Sequence, residues 1–102
     1  MTERVLATYA IPAGAMHDLS YEVLVPNGTL ALRLSLSADG AVSDVEMRVA
    51  RCGVFRDGGS HAGNVALSTP WCGGPFGGKE TVTFSATGAM SGQLVVHARR
   101  VA

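Results

Sequence analysis

Apolar and polar residues alternate with a period of two along much of the chain. The clearest run is Leu30-Ala31-Leu32-Arg33-Leu34-Ser35-Leu36-Ser37, with four leucines on one face and Ala, Arg, Ser and Ser on the other. A helix would scatter those leucines around its axis, whereas an extended chain gathers them on one side. Turn signals flank the run, Asn27-Gly28 before it and Asp39-Gly40 after it. The alternation recurs in Tyr21-Val23-Val25, Val45-Met47-Val49, Val82-Phe84 and Leu94-Val96-Ala98, and more weakly in Arg4 to Ile11 and Asn64 to Ser68.

Roughly seven such runs, with no convincing helical stretch, predict an all-β fold. The expected architecture is a compact antiparallel β-sandwich, Greek-key or jelly-roll-like, with a barrel as second choice. The chain has 102 residues, room for one domain over 1–102. The rhythm breaks between Gly53 and Lys79, where eight glycines and two prolines predict mostly loops. This stretch carries the only tryptophan, Trp71, together with Phe55 and Phe76. Loops on a rigid sheet are a common seat of binding, so Phe55, Trp71 and Phe76 are the expected contacts for a ligand or partner. The competing reading of Trp71 is a plug over one end of a core short of aromatics, with its N–H bonded to backbone.

Cys52 and Cys72 flank the weak strand in this stretch. A bridge would close a loop of about 21 residues and contribute roughly 3 kcal/mol. Two separate thiols in a reducing compartment are the alternative. No neighbouring base marks either cysteine as a nucleophile.

Eight Lys plus Arg balance eight Asp plus Glu, and the charges are scattered. That argues against nucleic acid, which needs a concentrated basic face. Val5 to Met16 is too short to span a bilayer, and Glu3 before it does not suit a secretory leader, so no signal peptide is expected and location stays open. Gly73 to Lys79 has the spacing of a phosphate loop, but Glu80 follows where a hydroxyl would hold magnesium, and a strand follows where a helix is needed. His17, His61 and His97 are too dispersed for a recognised metal spacing, and Asp39, Asp44 and Asp57 show no calcium-loop pattern. No metal, cofactor or catalytic residue is expected, and the chain is read as not an enzyme.

Two functional classes fit these features. The first is a structural or decorating subunit of a larger protein assembly, such as a phage or virus-like particle assembled in the cytoplasm, with self-association allowed. Arg4 to Ile11 would add to an exposed sheet edge in that setting. The second is a carbohydrate- or cell-envelope-binding module using aromatics on the glycine-rich loops. Lys79 to Phe84 followed by Gly92 to Val96 resembles secreted prepeptidase-type sandwich modules, through an ordinary strand pattern that identifies no family.

Overall fold

The computed structural model describes residues 2–101. Three strands account for nearly all of them: β1 (Thr2–Val49), β2 (Phe55–Ser68) and β3 (Cys72–Arg100). They form one antiparallel sheet in the order β2-β1-β3. β2 and β3 do not pair with each other, so the sheet stays open. This corrects the expected seven-stranded sandwich, and the barrel with it. The fold is a small open three-stranded sheet and not a capsid-like one, which also corrects the virion and capsid-decoration role.

The reason lies in the segments read as turns. Asp39 pairs with Asn64 on one side and Ser91 on the other, and Gly40 pairs with Gly63 and Met90. The Asp-Gly signal therefore sits inside the ladder and ends nothing. Gly40 takes a φ of 122°, and Ala89 O lies 2.5 Å from where a Cβ would stand. Elsewhere the interruptions are shifts of register, as between Ser43 and Val45, where Asp44 has a φ of 53°. Such bulges turn a strand without breaking it. A straight strand of β1's length would run on the order of 160 Å, yet the molecule's longest extent is 38 Å. β1 is bent accordingly, and Thr29 pairs with both Phe76 and Arg100 near the two ends of β3.

β1 flanks β3 twice. Val96 pairs with Ala7 on one side and Leu34 on the other, and Phe84 with Leu19 and Met47. The inward residues of all these runs meet in one core that includes Leu32, Leu34, Leu36, Val45, Met47, Val82, Phe84, Leu94 and Val96. The alternation holds from Leu32 to Ser37, where Leu32, Leu34 and Leu36 are fully buried and Arg33 and Ser35 half-exposed; at the start of the run it does not, since Leu30 is half-exposed and Ala31 is buried. Thr2 to Val25 pairs with β3, whereas β2 pairs only with the later part of β1, Ser35 to Met47. The glycine-rich stretch from 53 to 79 contains more strand than expected, because β2 and the start of β3 run through it. Glycine lacks a side chain to pack but keeps both backbone hydrogen-bonding groups.

Candidate functional site

The site begins with the bridge. Cys52, just after β1, and Cys72, opening β3, form a disulfide with their Cα atoms 6.2 Å apart. Cys52 N also donates to Val49 O at 2.8 Å, which fixes the turn out of β1. On the other side of the bridge, Thr69 N donates to Leu34 O at 2.9 Å, and Leu34 N donates to the Thr69 hydroxyl at 3.1 Å. Cys72 pairs with Leu32. Pro70 and Trp71 are thus pinned between partners of Leu34 and Leu32, and the indole comes to rest against Arg33. The Arg33 guanidinium carbon lies 4.8 Å from the ring centroid and that of Arg99 lies 4.1 Å from it.

A groove of about 540 Å³ opens beside the bridge. Its apolar lining includes Met47, Val49, Val54, Phe55, Pro70 and Trp71. Arg48 and Arg56 stand at its rim; Arg48 donates to Ala50 O at 2.9 Å and Cys52 O at 3.3 Å, while Arg56 pairs with Glu46 at 2.7 Å. Phe55 and Trp71 therefore come together. Phe76 does not join them: it is 3% exposed, opposite Thr29, with the Arg51 guanidinium over its ring at 5.2 Å. Arg51 in turn pairs with the buried Glu80 at 3.4 Å.

Both cysteines are taken up by the bridge. Among the described residues, no group of three or more metal-ligating side chains gathers, and no helix is long and apolar enough to cross a membrane. No protein-family model matches the chain, and no curated protein or solved structure matches it either.

The polar face beside Trp71 holds residues that sequence reasoning passed over. Arg33 pairs across the sheet with His97, and Ala31 with Arg99. Ser35 and His97 are hydrogen-bonded at 2.8 Å. Alternation alone puts these side chains on the solvent face of their runs; only the register makes them neighbours. Burial pushes the His97 pKa below its ordinary 6.5, the Arg33 charge pushes it the same way, and Glu3 opposes them. Asp57 is held low chiefly by the Gly59 N–H, with a further contribution from His61 at 3.0 Å.

His97 is neutral in the fold where the free imidazole would already bind a proton. Its contribution to stability is whole above pH 6.5 and erodes as pH falls below that value toward the folded pKa. An NMR titration of the His97 ring should give a midpoint below 6.5, moving up in Arg33→Gln. A midpoint at or above 6.5 in the unmodified protein would contradict the arrangement.

Proposed function

We propose that this protein is a non-enzymatic interaction module, a subunit that binds a protein partner of a larger assembly through the groove at the Cys52–Cys72 bridge. The observation that carries the reading is a preformed apolar groove with Phe55 and Trp71 in its lining and arginine at its rim. Tryptophan and arginine are over-represented among residues that dominate protein contacts. A groove pinned by a disulfide also needs little ordering when a partner arrives. β2 begins at this groove and pairs only with β1, so an extended partner segment has a free edge to lie along. Alternate side chains of such a segment would enter the groove, and an acidic one would meet Arg48, which has no acidic partner among the described residues.

The sugar-binding alternative has weaker support. It needs exposed aromatic faces, yet Phe76 is buried and Trp71 is held by two guanidinium groups. Val54 supplies the test, because it lines the groove at 43% exposure and lies outside the core. Tagged protein should capture one partner in stoichiometric amount from its source extract, and Val54→Asp should recover about tenfold less or lower still. Met16→Asp, at a site 80% exposed and not among the residues that line the groove, should capture normally. Recovery of glycan or cell-wall material with no dominant protein would overturn the reading.

A further inference from the structure

On the face beside the groove, Arg33, Trp71, His97 and Arg99 converge without a matching set of acids. The two guanidinium carbons contact the same indole, at 4.8 and 4.1 Å from its centre, so they are no more than about 9 Å apart. Arg33 forms no ion pair among the described residues, and its Nε is buried without a hydrogen-bond partner. An unsatisfied buried donor in a native fold calls for an explanation, and an unseen ion is one of the few available. The one acid nearby, Glu3, reaches Arg99 at 3.8 Å in a solvent-exposed pair, a geometry that is weak in water. Ser35 and His97, joined at 2.8 Å and opposite Val95 and Arg33 in register, add a hydroxyl and an imidazole to the same face.

We propose that Arg33 and Arg99, held against Trp71 and flanked by Ser35 and His97, form a binding site for a tetrahedral oxyanion group, a phosphate or sulfate. Two guanidinium forks present planar arrays of donors that match such oxygens in pairs, which a lysine ammonium cannot do. Trp71 keeps both forks from wandering into solvent, so less freedom is lost when the anion arrives. The anion supplies the negative charge that this face lacks. The site shares Trp71 with the groove, but its arginines, Ser35 and His97 lie outside the groove lining.

The test uses the full chain, labelled with 15N, titrated with inorganic phosphate, sulfate, acetate and chloride at matched ionic strength. Saturable shifts are expected at the Trp71 indole N–H, the Arg33 and Arg99 Nε–H groups and the Ser35 and His97 amides, with phosphate or sulfate. Stronger binding of phosphate marks a phosphate site and stronger binding of sulfate a sulfate site; either supports the proposal. Arg33→Gln should weaken binding about tenfold or more. Arg33→Lys, which keeps the charge but loses the fork, should also weaken it while leaving the spectrum folded, and Met16→Asp, at an exposed position outside the groove lining, should leave it unchanged. Equal binding of acetate, non-saturating shifts shared with chloride, or undiminished binding by both Arg33 variants would overturn the proposal.

Discussion

Phe84→Ala is expected to lower the unfolding free energy by about 3–5 kcal/mol. The ring is 1% exposed and sits where β3 is paired on both sides, with Leu19 and Met47 as its opposite residues. Removing it takes apolar area from the centre of the core and leaves a cavity that two ladders hold open. For a domain of this size the whole stability is of order 5–15 kcal/mol, so the variant should be close to unfolding. Urea denaturation followed by Trp71 fluorescence measures the effect. Thr83→Ala, its neighbour on the outward face, should stay within about 0.5 kcal/mol. A loss under about 1 kcal/mol for Phe84→Ala would mean that this ring is not central to the core.

The second large effect belongs to the bridge. Replacing Cys52 and Cys72 together with alanine is expected to cost about 3 kcal/mol, chiefly by freeing the unfolded chain between two positions 20 apart in sequence. The thermal midpoint should fall by roughly 10–20 °C. Because the bridge also holds one wall of the groove, partner capture should weaken at temperatures where the variant is still folded. An unchanged midpoint, in the double variant or on adding a reductant, would show that the two cysteines are not joined in solution.

The one-sided runs were legible because burial follows side-chain alternation, and alternation is written locally. Leu32, Leu34 and Leu36 face inward as their spacing predicts, and so do Leu94, Val96 and Ala98. Strand continuity was not legible. Asp39-Gly40 has the composition of a hairpin turn, yet both residues are paired on two sides, because a bent ladder also wants a residue that tolerates unusual φ. The same two-residue signal fits both outcomes, and only long-range pairing decides between them. Counting such signals as strand ends turned three long strands into seven short ones.

The candidate site was legible in part. The glycine-rich stretch singled out Phe55, Trp71 and Phe76 together; the structure puts Phe55 and Trp71 in the lining of one groove. Phe76 lies in the same stretch but points inward, since its register against Thr29 puts both side chains in the buried layer. Gly74 and Gly78, two positions away on either side, hid that alternation because neither carries a side chain on the same face. The arginines around Trp71 were out of reach for a different reason. Arg33 and Arg99 are 66 positions apart in sequence, and nothing short of the register between β1 and β3 brings them onto one indole.

Site-specific photo-crosslinking tests the central claim most directly. A benzophenone amino acid placed at Val54, in the groove, is compared with the same group at Met16, on the first part of β1. The Val54 probe should capture a single partner protein and the Met16 probe none. Crosslinks to a partner from Met16 alone would move the interface to the β1 edge and contradict the groove as the binding site; no protein crosslink from either position would contradict the interaction role itself.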